Sequence, residues 1–266
     1  MTVAAGKPEG RPVESAISVE TDVGSILLPH DEVMLPWIQH YRRWEPEVAS
    51  CLRSLLAPGM TFVDIGAHVG YHTLLALQLV GHAGRIVAVE PEPNNFALLV
   101  ANLMAHGAIN VQPVASAAWS ASGSVDLQVS SQNSGDHRVY RKAGPGAVRV
   151  PSLALDELLA FEPAVNVVKS DIQGADHIAI RGMEATIARC QPVILAEFWP
   201  AGIIAFGDDP ILALEYYRSL GFGVSLLESP WIPSRAAGAL FVSAADALPG
   251  GFGTLILRPR GREATH

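Results

Sequence analysis

The sequence has little cysteine and no extended basic or apolar run, and these absences exclude several classes of protein. Its 266 residues include only two cysteines, Cys51 and Cys190, which lie far apart in the chain and cannot form a disulfide framework. We expect both to pack as small apolar residues, as in a protein of the reducing cytosol. A chain of this length buries enough surface to fold without a disulfide or a metal ion.

Basic residues are also sparse. No run of lysine and arginine is longer than two residues, and the net charge is −8. Such a chain is a poor match for a nucleic acid or an anionic membrane surface. No stretch approaches the roughly 18 apolar residues of a membrane-spanning helix, and residues 1–16 lack the apolar centre of a signal peptide. The sequence therefore predicts a cytoplasmic protein without a nucleic-acid or membrane partner, and it leaves the oligomeric state open.

What the sequence does contain, from Met60 onward, is a regular alternation of short apolar segments with helical ones. Alternation of this kind predicts βαβ units and a parallel sheet. The predicted strands are residues 61–65, 85–89, 111–115, 165–170, 192–197, 222–227 and 253–257. The predicted helices are residues 71–79, 96–105, 152–160 with Ser152 as N-cap, 175–188 and 210–220.

The section before this alternation has a different character. Residues 1–16 contain several helix breakers and predict a loose tail, and residues 17–28 predict a short hairpin. Residues 31–56 predict helical pieces that are interrupted by Pro36 and Pro46.

A second irregular section lies inside the alternation. Residues 116–150 alternate in polarity around a polar stretch, which favours antiparallel strands with a loop over the domain. We therefore predict a tail and helical cap over residues 1–58 and an α/β domain over residues 59–266, with the inserted antiparallel segment at about residues 116–150.

The strongest local pattern is a glycine turn at residues 63–70 (VDIGAHVG), where the first of these strands meets a helix. Gly66 can adopt backbone angles denied to other residues, and Gly70 lets the start of the helix approach a neighbour or a ligand. Asp64 would face the crevice outside the carboxyl ends of the strands, where open α/β sheets bind ligands. Taken alone, Asp64 could equally cap the helix.

A second acid, Glu90, follows the next predicted strand and precedes Pro91. In nucleoside-binding folds an acid at this place accepts hydrogen bonds from the ribose hydroxyls. Glu90 could simply end a strand, but together with the glycine turn it predicts an adenosine-type ligand that lies across the first two strands.

The chemistry of the turn favours S-adenosylmethionine (SAM) over a dinucleotide. A dinucleotide site has the pattern G-x-G-x-x-G, with the pyrophosphate at the helix N-terminus. Here the middle glycine is missing, and His68 stands where a pyrophosphate would need bare backbone. SAM has no phosphate, and its ammonium group favours a carboxylate such as Asp64. The residues expected to hold SAM are Asp64, Gly66, His68, Gly70, Glu90 and Pro91.

At this point the motifs resemble those of the FkbM family of SAM-dependent methyltransferases. The family patterns VDIGANxGxxT, VEPxPxN, LD, KxDxEGxE and EF have counterparts here, in the same order. The matching segments are residues 63–73 (VDIGAHVGYHT), 89–95 (VEPEPNN), 155–156 (LD), 169–176 (KSDIQGAD) and 197–198 (EF).

The resemblance implies a Rossmann-like class I methyltransferase fold, with a mostly parallel seven-stranded sheet and helices on both faces. It also implies transfer of a methyl group from SAM to a small molecule, often to a hydroxyl in natural-product or sugar tailoring. Three residues depart from the family pattern, namely His68 for Asn, Gln173 for Glu and Asp176 for the second Glu. Because Mg²⁺ and Ca²⁺ require oxygen-rich ligand sets, the loss of a carboxylate at Gln173 favours a site without a tightly bound metal.

Three residues are the best candidates around the methyl acceptor. Asp171 ends the fourth parallel strand and could orient the acceptor, act as a base or hold a metal, although it could also cap the next helix. His137 lies in a polar loop and suits a base near neutral pH, unless it is merely exposed. Glu197 ends the fifth strand and could contact the acceptor, or it could form a structural ion pair.

Other residues near these positions admit two interpretations. Lys169 lies on the same strand face as Asp171 and could serve the site or only form an ion pair. His72 could reach the ligand from the first helix or simply pack. Trp199 could line the acceptor pocket or pack, and the aromatic residues Trp37, Tyr41 and Trp44 could form a lid or belong to the core.

Two other functions stay open at the level of sequence. One is a nicotinamide-dependent oxidoreductase, against which the missing middle glycine argues. The other is a protein of the same fold that binds a ligand or partner without catalysis, which the departures at His68 and Gln173 keep open.

Overall fold

The computed structural model describes residues 15–141, 144–227 and 251–261. Of the predicted tail, residues 1–14 therefore lie outside the described residues. In chain order the elements are β1 (Ile17–Thr21), β2 (Gly24–Leu28), α1 (Met34–Tyr41), α2 (Pro46–Leu55), β3 (Thr61–Ile65), α3 (Tyr71–Val80), β4 (Arg85–Val89), α4 (Pro93–Ala105), β5 (Val111–Val114), β6 (Ala117–Trp119), β7 (Gly123–Gln128), β8 (Arg138–Val139), β9 (Val148–Ala154), α5 (Leu155–Leu158), β10 (Val167–Ser170), α6 (Asp176–Arg181), α7 (Glu184–Cys190), β11 (Val193–Phe198), α8 (Pro200–Phe206), α9 (Pro210–Ser219), β12 (Phe222–Leu226) and β13 (Gly253–Pro259).

A seven-stranded sheet in the order β12-β13-β11-β10-β3-β4-β5 forms the centre of the molecule. The neighbours from β11 to β5 pair in parallel, and β13 runs antiparallel to both β11 and β12. The predicted mostly parallel sheet is therefore confirmed. Its carboxyl edge brings together the ends of β3, β4, β10 and β11, which places the residues after these strands side by side.

Both faces of this sheet are covered, which explains why the parallel strands are short continuous apolar runs. Successive residues of β3 enter different cores, since Phe62 packs with α2, α3 and α4 on one face and Val63 packs with α6, α7 and α9 on the other. Burial of both faces stabilises the sheet in proportion to the apolar area removed from water.

The N-terminal section packs against the first of these cores. The predicted hairpin is confirmed as the antiparallel pair β1–β2, and the side chain of Asn102 in α4 bonds the N–H and the C=O of Leu27. Pro36 lies within the first turn of α1 and Pro46 opens α2, where a proline needs no hydrogen-bonded N–H. The prediction that Pro36 interrupts a helix is therefore wrong. The domain boundary at residue 58 stays a prediction.

The segment after β5 forms a separate four-stranded sheet in the order β6-β9-β7-β8. Two of its pairings are antiparallel and β6 pairs with β9 in parallel. The prediction of a helix over residues 152–160 is wrong, because β9 extends through Ser152 to Ala154 and the helix is confined to Leu155–Leu158. Ser152 is a strand residue whose hydroxyl bonds the carbonyl of Ala121 instead of capping a helix.

Two further helical regions differ from the sequence expectation. The predicted helix 175–188 is broken into α6 and α7 at Gly182, where an added Cβ would lie 1.9 Å from the carbonyl oxygen of Trp119. The carboxylate of Asp156 then accepts hydrogen bonds from the N–H groups of Ala185 and Thr186 at the start of α7. Helix α8 was not predicted. None of the described helices has the length and apolar character needed to cross a membrane.

Candidate active site at the carboxyl edge of the sheet

A cavity of about 470 Å³ opens at the carboxyl edge of the large sheet. Gly66, Glu90 and Asp171, which follow β3, β4 and β10, line it, together with Glu197 near the end of β11. This volume lies within the roughly 300–1,000 Å³ range of small-molecule and cofactor sites. The predicted site residues Pro91, His68 and His137 line the same cavity.

The glycine turn has the geometry that its sequence predicts. The N–H groups of Gly66 and Ala67 both donate to the carbonyl of Val89, at 3.0 Å each. Gly66 has a φ of 73°, and an added Cβ would lie 2.1 Å from the carbonyl oxygen of Asp171. Only glycine therefore lets the turn lie this close to the segment after β10.

Gly70 serves packing and does not line the cavity. Its φ is 94°, and an added Cβ would lie 2.7 Å from the Cδ1 atom of Leu99 in α4. The glycine thus allows the start of α3 to approach α4.

Asp64 also lies behind the cavity lining. Its carboxylate is 1% exposed. Its Oδ2 atom accepts a 2.6 Å hydrogen bond from the Thr73 hydroxyl, and its Oδ1 atom lies 3.8 Å from Nζ of Lys169. Burial raises the pKa of Asp64, and the charge of Lys169 opposes the shift. The structure places Asp64 as a support for Lys169 and not among the residues that line the cavity.

Glu90 holds the position that the nucleoside prediction requires. Its carboxylate accepts hydrogen bonds from the N–H of His68 at 2.9 Å and the N–H of Glu92 at 2.8 Å, while it lines the cavity. Burial raises the pKa of Glu90 to about 7, and the two backbone hydrogen bonds counteract part of this shift. The two N–H groups fix the orientation of the carboxylate.

His68 connects the turn to a segment that passes over the cavity, which we call the covering segment (residues 130–138). Its Nε2 atom lies 2.9 Å from the Ser134 hydroxyl, which also bonds the carboxylate of Asp31. The side chain of Asn95 donates to the backbone carbonyl of Ser134 at 2.9 Å. Burial lowers the pKa of His68 to about 4, so the ring is neutral at physiological pH.

The covering segment also carries His137 and Arg138. The Nδ1 atom of His137 accepts a 3.0 Å hydrogen bond from the N–H of Ser130, and burial lowers the pKa of the imidazole. The guanidinium of Arg138 bonds Asp136 at 2.5 and 2.7 Å and lies 4.2 Å above the ring of Trp199. The segment is thereby held by the turn after β3 and by α4 on one side of the cavity and by Trp199 after β11 on the other.

The ends of β10 and β11 form a charged cluster. Nζ of Lys169 lies 3.6 Å from Asp171, and the amide of Gln173 donates to Asp171 at 3.1 Å and to Glu197 at 3.4 Å. The Oε2 atom of Glu197 has no hydrogen-bond partner among the described residues. Burial raises the pKa of Glu197 well above its usual range, and the charge of Asp171 adds to this effect.

The helix cap that the sequence allowed for Asp171 is not formed, because its side chain bonds Gln173. Asp176 holds the loop instead, since its Oδ1 atom accepts from the Ser170 hydroxyl at 2.6 Å and from the N–H of Ile172 at 3.3 Å. Among residues 15–141, 144–227 and 251–261, no group of three or more His, Cys, Asp or Glu side chains is arranged to hold a metal ion.

Two residues that line the cavity are not identified by the sequence, which gives no role to Glu45 and leaves the role of His72 open. Glu45, at the start of α2, lines the cavity with its carboxylate 3.7 Å from Nε2 of His72. His72 is 5% exposed, and its Nε2 atom lacks a hydrogen-bond partner among the described residues. The dipeptide Glu45-Pro46 indicates the start of a helix. The sequence does not show that this end of the helix lies at the cavity.

The aromatic candidates divide into two groups. Trp199 and Trp44 line the cavity, and Trp199 is enclosed between Arg138 and the backbone of Gly202. Trp37 and Tyr41 contact each other, with tilted rings whose centres lie 4.5 Å apart. They do not line the cavity, and at 36% and 47% exposure they do not belong to the core.

A cofactor of the nucleoside type fits the residues present. Glu90 offers a fixed carboxylate, Gly66 lines the cavity beside it, and His72 presents a buried polar atom without a partner among the described residues. At the turn itself, the N–H groups of Gly66, Ala67 and His68 already donate to acceptors of the protein, which leaves none of the three for a pyrophosphate.

Comparison with known proteins gives one match by sequence. The methyltransferase FkbM domain model matches residues 64–222. No curated protein matches the chain.

Among solved structures, a putative rRNA methylase from Clostridium thermocellum aligns with a TM-score of 0.50 at 11% identity, over 80% of this chain and 93% of that one. This likeness concerns the fold alone. The methyltransferase FkbM from Methylobacillus flagellatus KT aligns with a TM-score of 0.49 at 14% identity, over 79% of this chain. The alignment spans half the length of that protein. A SAM-dependent O-methyltransferase from Thermotoga maritima aligns with a TM-score of 0.48 at 12% identity, over 95% and 89% of the two chains.

Proposed function

We propose, from the premise that this chain belongs to the FkbM methyltransferase family, that it transfers the methyl group of SAM to a hydroxyl of a small molecule. The family match covers more than half of the chain. It favours methyl transfer over the nicotinamide-dependent oxidoreductase and over a protein that only binds a ligand.

The observation that carries the proposal is the position of Glu90 on the cavity. Its carboxylate lies after β4, and the N–H groups of His68 and Glu92 fix its orientation. The remaining lone pairs can accept hydrogen bonds from ribose hydroxyls, and each such charged bond contributes about 1.5–3 kcal/mol. Gly66 lines the adjoining part of the cavity.

SAM supplies an electrophilic methyl group on a sulfonium, and the residues around it have to align the acceptor and remove its proton. Glu197 is suited to the proton transfer, since its Oε2 atom has no partner among the described residues and the pKa of its carboxyl is raised. Bound SAM would supply the methyl group, and Glu197 would take the proton of the acceptor hydroxyl as that oxygen is methylated.

Other residues of the cavity orient the reactants. Asp171 is held by Lys169 and Gln173 and can accept a hydrogen bond from the acceptor. His137 lines the cavity from the covering segment and is the alternative base. The covering segment lines the cavity around the reactants, and a fixed alignment of nucleophile and methyl group supplies most of the rate enhancement.

The charges of the chain and of the cavity bear on the kind of molecule that accepts the methyl group. A net charge of −8 and the pairing of Arg138 with Asp136 disfavour a nucleic-acid acceptor. Gln173, which contacts Asp171 and Glu197, is a neutral amide and adds no carboxylate to the site, which disfavours a tightly bound divalent metal. We therefore expect a small hydroxylated acceptor, in keeping with natural-product or sugar tailoring in the cytoplasm.

The test is to incubate the protein with SAM that carries an isotopically labelled methyl group and with the separated small-molecule and RNA fractions of a cell extract. We expect a labelled O-methyl product in the small-molecule fraction, and a Glu197→Gln variant that binds SAM but forms little product. Label in the RNA fraction alone would contradict the proposed acceptor. Absence of SAM binding to the folded wild-type protein would contradict the proposed cofactor.

A further inference from the structure

We infer that Glu45 and His72 form the subsite for the amino-acid end of the cofactor, in which Glu45 binds the α-ammonium group and His72 faces the α-carboxylate. This inference rests on the proposed function. It replaces Asp64, which the sequence reasoning assigned to the ammonium, with a residue from a different element.

The direction of the cavity locates this end of the ligand. Glu90 marks the ribose position after β4, and β3 lies between β4 and β10 in the sheet. The cavity continues from Glu90 past the turn after β3 to the end of β10, so a ligand whose ribose is held at Glu90 has room to extend its other end in that direction. Glu45, His72, Lys169 and Asp171 all line the cavity on that side.

Asp64 is not free to bind the ammonium. Its carboxylate is 1% exposed and does not line the cavity, and it already contacts Thr73 and Lys169. A cofactor ammonium could reach it only if the cavity lining moved. The structure thus leaves the ammonium to another carboxylate.

Glu45 and Glu197 both line this side of the cavity without a Lys or Arg within 4 Å among the described residues, and Glu197 lies farther away, near the end of β11. Lys169 lies 3.6 Å from Asp171 and 3.8 Å from Asp64, so its charge is shared by those two acids. Within the described residues, the contact of Glu45 with a basic group is the one to His72, at 3.7 Å. Burial raises the pKa of Glu45 to about 8, the charge of Asp171 adds to this shift, and that of Lys169 opposes it. A ligand ammonium would supply the missing positive charge.

His72 gives independent support for a ligand. Its ring is 5% exposed, lines the cavity and leaves Nε2 without a hydrogen-bond partner among the described residues. Such an atom is costly to bury without a partner. Burial holds the pKa of His72 well below its usual range, so the ring is neutral and its Nε2–H can donate to a carboxylate. Glu45 beside it can take the ammonium of the same amino-acid group.

The experiment compares two probes by isothermal titration calorimetry. S-adenosylhomocysteine carries the amino-acid end, and 5′-methylthioadenosine has the same nucleoside and thioether without it. We expect the wild-type protein to bind S-adenosylhomocysteine more tightly. Glu45→Gln should weaken its binding by about 10- to 100-fold, as loss of a charge-assisted contact does, and leave the binding of 5′-methylthioadenosine within about twofold.

Two further variants complete the design. His72→Phe keeps a ring of similar size and should also weaken only S-adenosylhomocysteine. Glu215→Gln, the same change at an exposed position of α9, should alter neither affinity. Binding of 5′-methylthioadenosine shows in each case that the variant is folded.

The possible failures are distinguishable. If the wild-type protein binds both probes equally, or if Glu45→Gln weakens both to the same extent, the subsite is wrong while the proposed cofactor stands. If the wild-type protein binds neither probe, the proposed function and the subsite are both overturned.

Discussion

Replacement of Lys169 by methionine tests whether this lysine compensates the charges of Asp64 and Asp171 at the cavity, as the structure indicates. The side chain of Lys169 is 6% exposed and lies between Asp64 and Asp171, at 3.8 and 3.6 Å. Methionine has a similar length and no charge, so the substitution removes the ammonium with little change in packing.

The expected loss in the free energy of unfolding comes mainly from Asp64. This buried carboxylate would lose its only cation within 4 Å among the described residues. Removal of one partner of a buried ion pair typically destabilises a protein by about 3–5 kcal/mol, because the remaining charge is left uncompensated. Asp171 is more exposed and should contribute little of this cost.

The effect should depend on pH with a definite sign. Burial raises the pKa of Asp64 even in the presence of Lys169, and removal of the lysine charge should raise it further. A carboxyl whose pKa is raised in the folded state contributes stability at low pH that is lost as the pH rises through that pKa. Lys169→Met should therefore be more destabilising at pH 8 than at pH 5.

The assay is urea denaturation of the ligand-free protein at both pH values, followed by circular dichroism. The double variant Asp64→Asn/Lys169→Met should recover most of the loss, since the asparagine keeps the hydrogen bond from Thr73 without a charge. A loss below about 1 kcal/mol at pH 8, or no recovery in the double variant, would refute this account of the cluster.

Three more predictions concern the turn, the base and the covering segment. Gly66→Ala places a Cβ 2.1 Å from the Asp171 carbonyl at a φ of 73°, so it should destabilise the protein by more than about 1 kcal/mol in thermal unfolding; an unchanged melting temperature would contradict the turn geometry. Glu197→Gln should lower kcat by about 10²–10⁴-fold. In the wild type kcat should rise with pH as the buried acid ionises, whereas a flat pH profile would point to another base. Ser134→Ala removes the hydroxyl that joins His68 to the covering segment. Amide hydrogen exchange there should accelerate, and unchanged exchange would mean that the contact does not hold the segment.

Much of the central sheet could be predicted from the sequence, because its strands are buried on both faces. Thr61–Ile65 and Arg85–Val89 have the predicted bounds. Each strand is a short apolar run, which indicates a buried strand, and each is followed by a turn signal, the glycine turn or Glu90-Pro91, which marks its end. Because the end of β4 could be predicted, the position of Glu90 at the carboxyl edge of the sheet could be predicted as well.

The errors arise where tertiary contacts override local pattern. Ser152 was expected to cap a helix, yet β9 continues through it because Val150 and Leu155 pack into cores on either side. The break at Gly182 depends on the approach of the Trp119 carbonyl, which belongs to another sheet. Neither contact leaves a local trace in the sequence.

The site shows the same division. The positions of Asp171 and Glu197 follow from their places after or near the ends of parallel strands. Asp64 also lies near the end of a parallel strand. Its side chain, however, is buried behind the residues that line the cavity, where it contacts Lys169. Glu45 belongs to the N-terminal section, and only the packing of α2 against α3 brings it beside the cavity.

The most direct test of the central claim is a crystal structure of the protein with S-adenosylhomocysteine. The account predicts that the nucleoside lies in the cavity over β3 and β4, with the ribose hydroxyls within hydrogen-bond distance of the Glu90 carboxylate. A nucleoside bound elsewhere, or a cavity that stays empty at saturating ligand, would contradict it.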